Sequence, residues 1–234
     1  MKKSLMIAVL LMTVTAMNAQ SDPGTFSLTP KVGVSIANLS DNDLVVGDIS
    51  LKSKYKAGFI VGAEGEYQIT DFISATLGAY YATLGNRYDD YEKKTENAST
   101  PNIQSLEDYH NNYTILGYVL VPVMAKVYVA PGLALQAGLQ AGFLTNARSE
   151  YKLATATLNT QTGERTSGGT TKYKDTSKDG YKTTDFSIPF GLTYEYAKVV
   201  IDARYNLGLT KVYKNALDSK NRFFTFTVGY KFDL

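Results

Sequence analysis

The sequence predicts an all-β fold, an eight-stranded antiparallel up-and-down barrel, on three observations. Eight segments alternate apolar and polar side chains at period two, which places one set on each face of a strand. The connections between them alternate long and short. One face of most segments is rich in Gly, Ser and Thr with isolated charges, as the narrow interior of such a barrel requires.

The first strand carries Phe26, Leu28, Val32, Val34 and Ile36 on one face and Ser27, Thr29, Lys31, Gly33 and Ser35 on the other. The second sets Tyr55, Ala57, Phe59, Val61, Ala63 and Tyr67 against Lys56, Gly58, Gly62, Glu64, Glu66 and Gln68, with Ile60 alone out of class. In the third, Ile73, Ala75, Leu77, Ala79 and Tyr81 oppose Ser74, Thr76, Gly78 and Tyr80. The fourth is apolar on both faces; its odd positions from Ile115 to Val129 read as the outward side and Lys126 marks the other. The fifth opposes Leu133, Leu135, Leu139 and Phe143 to Gln136, Gly138, Gln140 and Gly142. Phe186, Ile188, Phe190, Leu192, Tyr194 and Tyr196 face away from Ser187, Gly191, Thr193 and Glu195 in the sixth. The seventh sets Ile201, Ala203, Tyr205, Leu207 and Leu209 against Asp202, Arg204, Asn206 and Gly208. The last sets Phe224, Phe226, Val228, Tyr230 and Phe232 against Thr225, Thr227, Gly229 and Lys231. Pro122 and Pro189 fall inside strands and each removes a ladder donor, so local bulges are expected there.

Long connections run over about 38–53, 86–112, 146–184 and 211–222; short ones are Ile69-Thr70-Asp71, Ala130-Pro131-Gly132 and Ala197-Lys198. In outer-membrane barrels short turns face the periplasm and long loops face outward. Alternation alone does not orient the faces, because a soluble secreted ligand-binding barrel shares the period. Three features place this one in a membrane. Tyr55 and Tyr67 bracket the second strand twelve steps apart, roughly 40 Å along it and about 30 Å after tilting. The strands are longer than the five or six residues usual in globular sheets. The polar face has the small residues of a filled lumen.

The start agrees with export. Lys2 and Lys3, an apolar run from Leu5 to Val14 and then Ala16-Met17-Asn18-Ala19 read as a secretory signal peptide over residues 1–19, leaving a barrel domain over 20–234; a short membrane anchor is the alternative. Removing those two lysines from 24 basic residues leaves 22 against 22 acidic ones, so the mature chain is formally neutral and nothing recruits nucleic acid. Cysteine is absent, which excludes a disulfide framework, a thiolate metal site and a cysteine nucleophile. After the leader the longest apolar run, Tyr118 to Ala125, is ended by Lys126, far short of the ~20 residues of a membrane helix.

The interior face collects Lys31, Lys56, Lys126, Arg204 and Lys231 with Glu64, Glu66, Glu195 and Asp202. Buried charges persist only when paired, so these nine are expected to form a charge network that fills the lumen. Tyr55, Tyr67, Phe186, Tyr196, Tyr205, Phe224, Tyr230 and Phe232 are expected as the aromatic girdle at the membrane interfaces.

The stretch from Tyr118 through Pro122 and Lys126 to Tyr128, continuing from Gly132 through Gln136, Gly138, Gln140 and Gly142 to Phe143, resembles the central signature of the PorT-like outer-membrane barrels of the Bacteroidetes. So do the run from Ile201 through Asp202-Ala203-Arg204-Tyr205 to Thr210 and the ending Gly229-Tyr230-Lys231-Phe232. The resemblance spans the strands and leaves out the loops. It implies an integral outer-membrane protein, with a namesake linked to protein export and no active site to carry over. Leu234 stands where a terminal aromatic is common, while Tyr230, Phe232 and Leu234 keep the apolar alternation thought to be read by the barrel-assembly machinery.

Candidate chemistry is sparse. His110, the single histidine, sits in the second long loop beside Asp108 and Tyr109, where a hydrolase could place a base, but no nucleophile converges on it in the sequence. Asp175, Ser177 and Asp179 with Gly180 match the first half of a calcium loop, yet position twelve is Phe186 where a Glu should close the shell. An Asp-Gly turn explains them better. Asp41, Asn42, Asp43 and Asp48 are a weaker cluster of the same kind. The second long loop is acidic and the third basic, so the two are expected to lean together over the barrel mouth. No cofactor or catalytic set is expected. The expected role is non-enzymatic: loops offered to a surface ligand or envelope partner from a barrel in outer-membrane lipid, with a small-solute channel or a soluble secreted barrel as alternatives.

Overall fold

The computed structural model describes residues 21–46, 49–96, 100, 102–215 and 218–234. The expected leader at 1–19 and Asp48 lie outside the described residues. Among those described there are thirteen strands: β1 (Phe26–Leu39), β2 (Leu44–Val46), β3 (Ile49–Leu51), β4 (Lys56–Thr70), β5 (Ile73–Arg87), β6 (Tyr91–Glu96), β7 (Ile103–Ala130), β8 (Leu133–Asn159), β9 (Arg165–Asp175), β10 (Thr184–Tyr196), β11 (Val199–Lys211), β12 (Lys220–Tyr230) and β13 (Phe232–Asp233).

Eight of them close a ring. β1 pairs β4, then β5, β7, β8, β10, β11 and β12 follow in turn, and β12 returns to β1 from Lys31↔Gly229 to Leu39↔Asn221. Every pairing is antiparallel between neighbours in the ring, and closure leaves the barrel no open edge. The exposure pattern fixes which face points out. Val32, Phe59, Leu77, Val123, Leu139, Leu192, Phe226 and their outward neighbours are exposed, while Ser27, Lys31, Glu64, Lys126, Glu195 and Asp202 are buried. An exposed apolar belt around a polar interior is the inverse of a soluble barrel and suits hydrocarbon outside.

Inward-facing glycines let the strands approach. A Cβ at Gly138 would lie 2.0 Å from the Val123 carbonyl oxygen, and one at Gly33 1.9 Å from that of Phe226. The interior has two storeys. Toward the periplasmic ends it is charged. Toward the outer ends Ala37, Leu39, Ile60, Ala82, Leu84, Leu116, Tyr118, Leu120 and Phe223 form one buried apolar cluster, beside the buried polar Asn86, Asp185 and Asn221. That upper storey explains why Ile60 breaks the polar face of its strand and why the fourth predicted strand is apolar on both sides.

The expected bulges at the two strand prolines do not occur. Pro122 pairs with Gln140 and Pro189 with Asn206, and the register is unchanged across each. An inner antiparallel residue donates toward one neighbour only, so a proline costs one ladder bond and the opposite side keeps the strand in place. The first two short turns sit one or two residues from where the sequence places them; Ala197 and Lys198 form the third, both at positive φ (47° and 68°).

Two of the long connections are not loops. β7 and β8 continue as a hydrogen-bonded pair far beyond the barrel, from Tyr113↔Glu150, where β5 stops pairing with β7, out to Ile103↔Asn159. β6 pairs the outer part of β7 and β9 that of β8, giving a four-stranded outer sheet in the order β6-β7-β8-β9.

Candidate functional site: the filled lumen and the outer sheet

Eight of the nine charges expected inside the barrel come together there. Lys31 on β1 donates to Glu64 at 2.7 Å and Asp202 at 2.5 Å; Arg204 on β11 reaches the same two carboxylates at 2.6 and 3.2 Å. Lys126 on β7 lies 2.8 Å from Glu66, 3.4 Å from Glu195 and 3.8 Å from Glu64. Lys231, between β12 and β13, meets Glu195 at 2.8 Å and Glu66 at 3.4 Å. Four cations thus face four carboxylates, with neutral groups satisfying the remaining lone pairs. Tyr80 donates to Glu64 at 3.0 Å, Ser74 to Glu66 at 2.6 Å and Gln136 to Asp202 at 3.0 Å, while Thr193 also contacts Asp202. The Tyr128 hydroxyl lies 2.9 Å from both Glu66 and Glu195. Lys56 is different. It is half-buried at the start of β4, its ammonium donates to the Ala57 carbonyl at 3.2 Å, and it makes no ion pair among the described residues.

Arg204 lies 5.9 Å over the ring of Tyr80, where the charged storey meets the apolar one. An interior void of about 10 Å³ remains at that level, bordered by Tyr80, Arg204, Asn206 and Phe223. That is room for about one water. The neutral members of the network, Tyr80 and Tyr128 above all, are missed by a search for charges, although alternation puts both on the inward face.

On the outer face of the barrel Phe26 and Tyr67 pack at 5.0 Å between ring centres and Tyr230 meets Phe232 at 5.0 Å, both near the periplasmic rim with Tyr196. Tyr205 lies mid-strand in β11 and bridges Phe190 (5.4 Å) and Phe224 (4.8 Å), and Phe224 reaches Tyr55 at 6.3 Å. Phe186 is exposed near the outer end of β10.

The outer sheet is built around tyrosines. Tyr91, Tyr109, Tyr151 and Tyr173, one from each strand, stack in a row at 4.6, 5.7 and 4.9 Å between ring centres. Each such contact adds about 0.5–1.5 kcal/mol beyond its buried area. Burial, then the carboxylate of Glu107, pushes the Tyr109 phenol up to about 12. The charge difference between the two long connections also closes pairs. Arg165 at the start of β9 meets Asp108 of β7 at 2.5 Å and Glu92 of β6 at 3.6 Å. The two connections associate edge to edge through the β7–β8 ladder, with charge as a supplement.

His110 takes Asp90, not Asp108, as its acid partner, Nδ1 to Oδ2 at 2.9 Å. Asp108 is engaged by Arg165 instead. Asp175, Ser177 and Asp179 form a self-capping turn: the Ser177 N–H donates to the Asp175 carboxylate at 2.9 Å and the Asp179 N–H to the Ser177 hydroxyl at 3.1 Å. In the first loop Asp43 accepts the Ser53 N–H at 3.1 Å, and Asn42 is tied to the Tyr88 hydroxyl at 2.7 Å.

Glu150 is a cluster the sequence does not single out. Its carboxylate meets the Tyr113 hydroxyl at 2.6 Å, Lys172 at 3.1 Å and the Arg148 guanidinium. The Tyr113 hydrogen bond first, with Lys172 and Arg148, outweighs burial and holds the carboxyl down to about 2.

A closed eight-stranded ring with an apolar belt and a polar interior is an integral outer-membrane β-barrel. The chain belongs to the family described as outer membrane protein beta-barrel domain, whose model matches residues 18–214. Among curated proteins none matches it. Among solved structures it is similar to Ail, the attachment invasion locus protein of Yersinia pestis, at 16% identity over 90% of this chain and 99% of that one, with a TM-score of 0.36. Neisserial surface protein A is similar at 12% identity over 91% and 100%, TM-score 0.43. The outer membrane protease OmpT from Escherichia coli is similar at 10% identity over 94% and 100%, TM-score 0.34.

Proposed function

We propose that the barrel is a sealed, non-enzymatic scaffold that holds the outer sheet away from the membrane for interaction with a surface ligand or another envelope protein. The carrying observation is the interior: four cations paired with four carboxylates below, an apolar cluster above, and a void of about 10 Å³ between them. Paired charges this tightly bonded act as a plug, and a plug argues against a small-solute channel. The work then falls to the part of the chain outside the bilayer, where loops on a rigid scaffold carry recognition.

Within the family we infer a place among the PorT-like barrels, supported by the runs from Tyr118 to Phe143 and from Ile201 to Thr210. The leader is removed after Ala19, and the outward alternation of Tyr230, Phe232 and Leu234 serves the barrel-assembly machinery during insertion. The belt aromatics near the strand ends anchor the barrel at the two interfaces, whereas Tyr205, expected among them, lies mid-strand and packs inside the belt.

Planar-bilayer recording from the purified, reconstituted barrel tests the scaffold reading. A flat baseline is expected. Reproducible ohmic steps of uniform size would favour the channel reading over it.

A further inference from the structure

Where β7 leaves the barrel its pairing with β8 shifts. His110 faces Lys152 and Tyr113 faces Glu150, so Asn111 and Asn112 together oppose Tyr151 in a β-bulge. Asn111 takes φ 54°, a left-handed conformation that costs energy without glycine. Asp90 holds it there: one carboxylate oxygen accepts the Asn111 N–H at 2.9 Å and the other meets His110 at 2.9 Å. The bulge opens a cavity of about 250 Å³ lined by Asn111, Tyr113, Glu150, Tyr151, Lys152 and Lys172.

The charges around this cavity are arranged against stability. Lys152 and Lys172 lie directly opposite each other across β8 and β9, and like charges in that position repel. Glu150 neutralises Lys172 at 3.1 Å, while Lys152 makes no ion pair among the described residues. An anion seated between the two ammoniums relieves the repulsion with two charge-assisted hydrogen bonds. The remaining lining suits hydroxyl groups: an oriented carboxylate, an amide and a phenol. The volume, below the roughly 300–1,000 Å³ of pockets for drug-sized ligands, suits a unit about the size of one ring.

The geometry points to a binding site for an acidic saccharide unit, its anionic group on Lys152 and Lys172 and its hydroxyls on Glu150, Asn111 and Tyr113. This rests on the reading of the outer sheet as the working surface. The site is on β8 beyond Phe143, the last strongly exposed apolar residue of that strand, by about seven residues, on the order of 20 Å along the strand. A free glycan, rather than a lipid headgroup, is therefore the occupant.

The test is calorimetric titration of the full-length barrel, folded in micelles, with a soluble disaccharide containing a hexuronic acid, its neutral hexose counterpart and inorganic phosphate. Saturable binding of the acidic disaccharide is expected, with the neutral sugar and phosphate each about ten-fold weaker or more. Lys152→Gln alone, and with Lys172→Gln, should weaken the acidic disaccharide by about ten-fold or more, with gel mobility of the folded barrel unchanged. Equal binding of acidic and neutral sugars, phosphate binding as tight as the disaccharide, or unchanged affinity in both variants would overturn the assignment. So would binding confined to vesicles carrying a lipid-linked acidic sugar. Absence of sugar binding by a barrel that does not conduct sinks this inference and leaves the scaffold reading standing; conductance sinks the scaffold reading itself.

Discussion

Lys126 is the residue on which the lumen turns, 1% exposed and within 4 Å of Glu64, Glu66 and Glu195. Removing one partner of a buried ionic group leaves the others uncompensated, at a cost of about 3–5 kcal/mol. Lys126→Met should therefore lower the urea midpoint of the folded barrel by that free energy, whereas a loss under about 1 kcal/mol would show that the three carboxylates are solvated or protonated without it. Glu150 makes a different kind of prediction. Its carboxyl is depressed from 4.5 to about 2 in the folded state, so its stabilisation is fully present above about 4.5 and is lost as pH falls toward 2. The near-ultraviolet circular dichroism of the tyrosine row should hold from neutral pH down to that window and then decline within it. Glu150→Gln should remove that step; an unchanged profile in the variant would assign the step to other carboxylates.

Single elements carry their own strain. Ala197 and Lys198 both sit at positive φ in a two-residue hairpin turn whose natural occupants are Asn and Gly. Replacing them by Asn-Gly should stabilise the barrel by about 0.4–1 kcal/mol per site, read as a raised urea midpoint; a lowered one would mean that Lys198, 3.5 Å from Asp233, contributes more through its ion pair than it costs in backbone. The turn position is legible in the sequence because apolar alternation stops at Tyr196 and resumes beyond Lys198. The eight barrel strands are legible for the same reason, and eight of the nine lumen charges follow from their parity. Lys56 is placed on the correct strand but at its outer end, a height that alternation does not encode. The outer sheet was hidden by its polarity. β9 is exposed along its whole length, so no buried face imposes an apolar period, and it reads as loop until its partner strand is known. The Asn111 bulge is invisible for a related reason: it depends on the offset between β7 and β8, a property of two segments together.

The whole molecule divides labour between a closed ring and the sheet that rises from it. The ring is complete without the outer sheet, since β5 meets the barrel part of β7 up to Arg87↔Tyr113 and β8 meets β10 up to Phe143↔Thr184. Folding energy for the ring comes from its own hydrogen-bonded closure, its lumen network and its lipid-facing belt. The most direct measurement is the gel mobility, before and after boiling, of a chain in which segments 90–111 and 149–180 are cut back to short turns. A membrane-fraction protein that still migrates as a compact form until boiled is the expected result. A trimmed chain that fails to reach the membrane, or that runs identically with and without heating, would contradict it and make the outer sheet part of the barrel's own structural core.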